Sequence, residues 1–482
     1  MTQLHDLTAL EQARMIREGD LSPVELADHY LARIERHSAE LGAYTTPTPE
    51  LARKQAADAE SEATAARREG RALPPLHGVP CPIKDLNNVA GVRTTFGSAA
   101  FAEYTAEADD HVVTRLRAAG TVILGKTNTP EFGLPCHTEN DVAPPARTPW
   151  DLERSAGGSS GGAGAAVASG LAPLAHGSDG GGSVRIPAAV CGLFGIKPSR
   201  GRISAGPVQH DVTGLSTSGP LARTVADAAA LLDAMAGAMP GDPYAAPSPA
   251  PGDSFLAAAD REPGPLRIAL LTAPLVPGLT VHQDCLAAAQ ETAELLGQLG
   301  HQVEPLELPA GDDYFARMFT TVWEVSAAAR PVPEGGEELL LPLTRSLRER
   351  GRAVPAARYH EALYSFRAMG QLVAGLLAPE GPYDVILSPT LAQPPAPVGG
   401  LRNDADPVEE FRRISAFTPF TPVYNATGLP AVNVPVHWNP DGLPIGTMLG
   451  ARYGAEALLI SLSAQLERAR PWSDRRPEIW AG

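Results

Sequence analysis

Apolar residues recur at helical spacing in several separate stretches of the chain, and short runs of consecutive apolar residues lie between them. The clearest helix is predicted over 22–38, where Ser22 can cap the first turn and Pro23 suits its first position. Other helices are predicted over 7–18, 49–68, 110–119, 224–237, 281–299, 313–372 and 455–469. Strands are predicted over 78–83, 121–125, 266–271, 302–307 and 383–388. Strands that alternate with helices indicate an α/β fold with parallel pairing.

Composition and charge narrow the class of protein. The chain has 482 residues, of which 44% are hydrophobic and 20% charged, as in soluble globular proteins. A net charge of −16 without basic clusters argues against a nucleic-acid partner. No apolar run is long enough to span a membrane, and the N-terminal segment has no apolar leader, so we expect a cytoplasmic protein. The cysteines are scattered without metal-ligand spacing, so we expect no metal and no cofactor.

The stretch 155–202 is the richest in glycine and serine, and apolar runs lie within it. It contains two glycine clusters, 157–162 and 179–183. Glycine clusters allow positive φ angles, so several backbone N–H groups can point at one spot. A serine that ends such a cluster, as Ser183 does, would stand beside those donors. Acyl-transfer enzymes need this combination of a nucleophilic hydroxyl and an oxyanion hole.

Lysine is rare in this chain, and this rarity points to a base for the serine. Of the 39 basic residues only four are lysines, and the others are arginine, which cannot give up its proton. Lys54 lies in a polar helical pattern and is expected at the surface. Lys84 follows the apolar run 79–83, where loss of water would lower its pKa.

Two other motifs match parts of this chain. Residues 120–127 match the phosphate-loop pattern, but their middle residues are strand-forming and no helix follows, which argues against nucleotide binding and leaves it as a further alternative. Residues 157–161 match the nucleophile elbow of α/β-hydrolases, but no strand precedes them. His176 is the nearest histidine, and a structural role is expected for it.

The motifs around these residues resemble those of the amidase signature family of serine hydrolases. Residues 157–162 read GGSSGG and residues 179–201 read DGGGSVRIPAAVCGLFGIKPSRG. Upstream, 78–85 reads GVPCPIKD and 91–98 reads GVRTTFGS, and 417–431 reads FTPFTPVYNATGLPA. The resemblance covers most of the chain. It implies an α/β fold with a central mixed, twisted β-sheet that helices cover on both faces.

The resemblance also implies roles for residues. Ser183 would be the nucleophile, Lys84 the base, and Ser159, on a cis peptide bond, would bridge them. The N–H groups of Gly180, Gly181, Gly182 and Ser183 would form the oxyanion hole, although many members have threonine at the position of Gly180. Ser160, Asp179 and Arg185 would orient the triad and its loop, and Gly133, Leu134 and Cys136 would line the acyl pocket.

From these observations we expect one amidase domain over 1–482, with a signature core at about 75–225 and a variable helical cap at about 313–372. The cap carries aromatic and methionine residues that could form an apolar wall, namely Phe315, Met318, Phe319, Trp323, Tyr364, Phe366 and Met369. The predicted function is hydrolysis of apolar or aryl amides, with carbamates (urethanes) and esters as further substrates, by a monomer or homodimer. The alternative is the amidase subunit of a tRNA-dependent amidotransferase complex.

Overall fold

Two β-sheets and fifteen α-helices make up the part of the chain that the computed structural model describes, residues 3–207, 212–307 and 312–481. The strands are β1 (Tyr44–Pro47), β2 (Ile83–Lys84), β3 (Gly125–Thr127), β4 (Leu174–Asp179), β5 (Phe194–Lys197), β6 (Thr217–Ala222), β7 (Arg267–Leu270), β8 (Gln302–Pro305), β9 (Val385–Pro389), β10 (Ala431–Trp438) and β11 (Pro444–Ala451). The helices are α1 (Ala9–Glu18), α2 (Pro23–Leu41), α3 (Pro49–Glu69), α4 (His111–Ala118), α5 (Gly161–Ala168), α6 (Arg185–Cys191), α7 (Val225–Met235), α8 (Phe255–Ala259), α9 (Gln283–Gln298), α10 (Tyr314–Ala329), α11 (Pro342–Arg352), α12 (Ala356–Leu377), α13 (Pro407–Phe417), α14 (Pro422–Thr427) and α15 (Glu456–Ala469). None of these helices is long and apolar enough to cross a membrane.

The large sheet is mixed, as the family resemblance predicted. Its strand order is β4-β6-β5-β10-β11-β9-β7-β8. Strand β7 pairs in parallel with β8 and β9, and the helix α9 connects β7 to β8 as a crossover. All other neighbours in this sheet are antiparallel. Parallel pairing, which the alternation of strands and helices predicted, is therefore confined to one end of the sheet.

Helices cover both faces of the large sheet. A Cβ added to Gly446 on β11 would lie 2.7 Å from the side chain of Ala189 on α6. The next residue, Thr447, lies 3.4 Å from Thr292 on α9, measured between the two hydroxyl oxygens. Because successive residues of a strand point to opposite faces, α6 and α9 pack on opposite sides of β11.

The small sheet, in the order β1-β3-β2, brings the two lysine-bearing segments together. Strands β2 and β3 run parallel, with Ile83 opposite Lys126 and Lys84 opposite Thr127. The strand predicted over 78–83 is shorter than expected, because Pro80 and Pro82 have no N–H to donate to a ladder. The strand predicted over 121–125 lies later, at Gly125–Thr127.

Candidate active site

The glycine cluster 179–183 forms a tight loop between the end of β4 and the start of α6. Gly182 has a φ of +129°, a conformation that residues with a side chain rarely adopt. A Cβ there would also come within 2.4 Å of Thr421 Oγ1, so glycine is required twice over. Ser183 follows at the edge of a cavity and is buried, with 7% of its surface exposed.

The second glycine–serine cluster lies directly behind this loop. The peptide bond between Gly158 and Ser159 is cis. Ser160 precedes α5, and its N–H donates to the carbonyl of Ser183 at 3.2 Å. Its hydroxyl donates to the carbonyl of Ser178 on β4 at 3.1 Å. The two serine-bearing segments, distant by about two dozen positions, are therefore hydrogen-bonded neighbours.

Lys84 reaches this junction from the end of β2. Its Nζ lies 2.8 Å from Ser159 Oγ, 3.0 Å from Ser178 Oγ and 3.2 Å from the carbonyl of Ser178. Complete burial lowers the pKa of Lys84 well below its usual value; Asp179 opposes this shift and Arg330 adds to it. A neutral amine in contact with a serine hydroxyl can accept that hydroxyl's proton.

Asp179 holds the glycine loop in shape. Its Oδ1 accepts from the Gly182 N–H at 2.8 Å, and its Oδ2 accepts from the Val184 N–H at 3.1 Å. Arg185 donates to both oxygens, at 2.9 and 3.0 Å. Burial by itself would raise the pKa of Asp179, but Arg185 reverses this and holds the pKa below the usual range. The carboxylate is thus charged and fully hydrogen-bonded.

One of the four N–H groups expected in an oxyanion hole already has a hydrogen-bond acceptor. The N–H of Gly182 already has Asp179 as its acceptor. The N–H groups of Gly180, Gly181 and Ser183 have no acceptor within the described part of the chain. Three donors rather than four are therefore available at the loop, while Gly182 supplies the turn.

The cavity beside Ser183 has an apolar, partly aromatic wall. Three aromatic residues of α10, namely Phe315, Phe319 and Trp323, contribute to it together with Leu134 and Cys136. Among the described residues that line it, none carries a charge. The rings of Phe319 and Trp323 stack with centroids 5.5 Å apart and lie against Gly181 and Gly180.

The other residues expected at the wall lie elsewhere. A Cβ added to Gly133 would be 3.0 Å from Ser159 Oγ, so Gly133 lies beside this serine. Met318 and Phe366 are buried between helices, Met369 is half-buried, and Tyr364 is 68% exposed. Of the seven aromatic and methionine residues expected in the helical cap, the described lining of the cavity therefore includes the three on α10 named above.

Comparison with known proteins identifies the family. The family model for amidases matches residues 25–460. The chain belongs to the amidase signature family. A 6-aminohexanoate-cyclic-dimer hydrolase of Paenarthrobacter ureafaciens is 38% identical over 98% of this chain and 96% of its own.

Solved structures agree with this assignment. A structure of 6-aminohexanoate cyclic dimer hydrolase superimposes with a TM-score of 0.88 and 34% identity, covering 99% of this chain and 100% of the other. A bacterial aryl acylamidase superimposes with a TM-score of 0.87 and 25% identity, covering 100% and 99%. The protein is therefore an enzyme, an amidase that hydrolyses amide bonds.

Lys126 and His176 both have structural contacts in this amidase. Lys126, in the phosphate-loop match, lies on β3 and forms an ion pair with Asp85 at 2.8 Å. His176 is fully buried, and burial lowers its pKa to about 3. Its Nδ1 accepts from the Lys84 N–H at 3.3 Å, and its Nε2 lies 3.0 Å from Ser218 Oγ. Neither residue faces the cavity.

Two residues at the candidate active site of this amidase were not predicted from the sequence. Ser178 touches the Lys84 amine. Its position directly before Asp179 was the signal that could have found it. Thr421 binds the glycine loop from 240 positions away. The motif at 417–431 pointed to its segment, but no pattern assigned it a contact.

Proposed function

We propose that this amidase cleaves uncharged amides with apolar or aryl groups, using Ser183 as nucleophile, Ser159 as proton bridge and Lys84 as base. The carrying observation is the 2.8 Å contact between the Lys84 amine and Ser159 Oγ at a buried site behind Ser183. Because no carboxylate touches this amine among its described partners, it can stay neutral and accept a proton.

The reaction proceeds in two halves. Ser183 Oγ attacks the amide carbonyl carbon while its proton passes to Ser159 and the proton of Ser159 passes to Lys84. The carbonyl oxygen becomes an oxyanion that accepts hydrogen bonds from Gly180, Gly181 and Ser183. When the C–N bond breaks, Lys84 returns the proton through Ser159 to the leaving amine. Water then attacks the acyl-enzyme by the same proton route and releases the acid.

The wall of the cavity supports an apolar substrate class. The described lining gives no charged partner to a free amino-acid head group, whose charges would lose water without full compensation. Aryl rings would gain contact with the stacked Phe319 and Trp323. The name of the cyclic-dimer hydrolase relative adds neutral cyclic amides to this class. Aryl carbamates and esters present the same carbonyl and are proposed as further substrates.

A substrate panel tests this proposal. Purified protein would be assayed with 4-nitroacetanilide, an aryl carbamate, a cyclic diamide and free glutamine. We expect the anilide, carbamate and cyclic amide to be hydrolysed and glutamine to be left intact. Replacing Ser183 with alanine should abolish all turnover. Preference for glutamine would contradict the apolar class and favour the amidotransferase subunit.

A substitution in the cavity wall measures how much an aromatic side chain contributes to the hydrolysis of an aryl substrate. Trp323→Ala should lower kcat/KM for the anilide by at least about fivefold, because one ring contact is worth about 1 kcal/mol beyond its burial. Tyr314→Ala is the matched control, since Tyr314 belongs to the same helix but lies at the surface. Equal kinetics of the two variants would remove Trp323 from the substrate site.

A further inference from the structure

Thr421 is a buried threonine that contacts the glycine loop from the far side. It directly precedes α14 and has none of its surface exposed. Its hydroxyl donates to the carbonyl of Gly181 at 2.6 Å. The space that a Cβ on Gly182 would need is filled by Thr421 Oγ1 and Cβ, at 2.4 and 2.8 Å. The loop and this side chain are therefore in direct contact.

The contact completes a clamp on one peptide unit. The Gly181–Gly182 peptide has its carbonyl held by Thr421 and its N–H held by Asp179. Arg185 joins the two holders, because it pairs with Asp179 and donates to the carbonyl of Thr421 at 3.0 Å. Both polar ends of the peptide are thus fixed by side chains that are fixed to one another.

The clamp secures the neighbouring donors. A peptide between two glycines can rotate with little steric resistance, because neither residue has a Cβ. Rotation of the Gly181–Gly182 peptide would change ψ of Gly181 and φ of Gly182. If the two changes do not cancel, the adjoining peptide units turn as well, and these carry the N–H groups of Gly181 and Ser183. If they do cancel, the Gly181 carbonyl oxygen itself can turn toward a developing oxyanion. Preorganised donors contribute to catalysis only while they keep their direction.

We propose that Thr421 is a positioning residue that locks the Gly181–Gly182 peptide and thereby aims the oxyanion donors Gly181 and Ser183. This role rests on the proposed function, because it needs an oxyanion at Ser183. Asn425 supports the same clamp, since its amide donates to Asp179 Oδ1 at 2.9 Å and its carbonyl oxygen accepts from Arg185 at 2.7 Å. Two residues of the motif at 417–431, Thr421 and Asn425, therefore contact the loop directly.

Three variants test the role of the hydroxyl. Thr421→Val keeps the shape and removes the donor, whereas Thr421→Ser keeps the donor. Thr427→Val is the matched control, because the Thr427 hydroxyl donates to Val423 O on the same helix at 2.7 Å and does not contact the loop. On 4-nitroacetanilide we expect Thr421→Val to lower kcat by about ten- to a hundredfold, less than loss of a donor itself, with KM little changed. Thr421→Ser and Thr427→Val should stay close to wild type.

Two ketones separate positioning from general damage. Phenyl trifluoromethyl ketone forms a tetrahedral serine adduct with an oxyanion, whereas phenyl methyl ketone binds without one. Thr421→Val should weaken the first inhibitor by the same factor as kcat and leave the second unchanged. Equal affinity of Thr421→Val and wild type for the trifluoromethyl ketone would overturn the inference alone. Failure of the wild type to hydrolyse the anilide and bind this ketone would overturn the proposed function, and the inference with it.

Discussion

Lys84 and Lys126 lie on neighbouring strands of the small sheet, and both are completely buried, but their surroundings differ. The amine of Lys126 touches the carboxylate of Asp85 and the hydroxyl of Thr94, each at 2.8 Å. Within the described part of the chain, the amine of Lys84 touches only hydroxyl and carbonyl oxygens of Ser159 and Ser178. Among these described contacts, Lys126 has a counter-ion and Lys84 does not.

The difference teaches that burial alone does not decide what a lysine does. Burial lowers the pKa of both lysines, but Asp85 opposes this at Lys126, whereas the opposing charge at Lys84, Asp179, is itself paired with Arg185. A buried ion pair holds structure together, and breaking it leaves a charge without compensation. A buried amine without a counter-ion destabilises its charged form and is suited to proton transfer. Two lysines can therefore share a sheet and have different tasks.

The largest effect is expected from removing the amine of Lys84. Lys84→Met should lower kcat/KM for an anilide by about a hundred- to ten-thousandfold, the usual range for a lost acid–base group. Its melting temperature should stay the same or rise, because an apolar side chain of similar length replaces a desolvated amine. Lys84→Arg should be equally inactive, because arginine cannot act as a base. An active Lys84→Arg enzyme would contradict the proposed role of Lys84 as the base.

Removing the amine of Lys126 should act on stability. Lys126→Met leaves Asp85 buried and charged, which costs about 3–5 kcal/mol of the free energy of unfolding. Denaturant unfolding measures this loss, and the double variant Lys126→Met with Asp85→Asn should recover a large part of it. Soluble Lys126→Met protein should keep its kcat. If it lost kcat while keeping its stability, the contrast between the two lysines would be wrong.

The pH dependence follows from the lowered pKa of Lys84. In the proposed mechanism only the neutral amine accepts a proton, so kcat/KM should rise with pH from the acid side and reach an alkaline plateau, changing about tenfold per pH unit below the pKa. The free energy of unfolding should also increase with pH. The unfolded chain binds the proton near pH 10.5 and the folded chain binds it only at lower pH, so this site destabilises the fold as pH falls through that window. The melting temperature of Lys84→Met relative to wild type should rise as pH falls from 10.5. A difference that does not vary with pH would show that Lys84 stays charged.

Short-range patterns predicted much of the fold and a large part of the candidate site. Helical periodicity located most of the helices because each pattern lies within one segment. The glycine clusters and the scarcity of lysine pointed to Ser183 and Lys84, and the family motif added Ser159. Strand pairing was harder to predict: local alternation indicated parallel strands, but β10 and β11 pair as antiparallel neighbours in the middle of the sheet.

The missing parts of the site depend on contacts between distant segments. Thr421 meets Gly181 across 240 positions. Trp323 was expected at an apolar wall, but its contact with Gly180 was not predicted. The bond between the Gly182 N–H and Asp179 arises from the exact path of the loop, which no residue pattern specifies. Such contacts follow from packing in three dimensions, so a periodicity or a motif cannot reveal them.

The smallest effects should come from removing a single hydroxyl beside each lysine, that of Ser178 at Lys84 and that of Thr94 at Lys126. Ser178→Ala removes one partner of the Lys84 amine, and we expect kcat/KM to fall by about tenfold, the equivalent of one hydrogen bond of about 1.4 kcal/mol, with little change in stability. Thr94→Val removes the matching partner of Lys126 and should lower the free energy of unfolding by about 1–3 kcal/mol, because a buried charged donor loses an acceptor. Its kcat/KM should remain at the wild-type value. Kinetics and denaturant unfolding on both variants complete the comparison, and a Thr94→Val enzyme that lost activity without losing stability would mean that Lys126 also takes part in the chemistry.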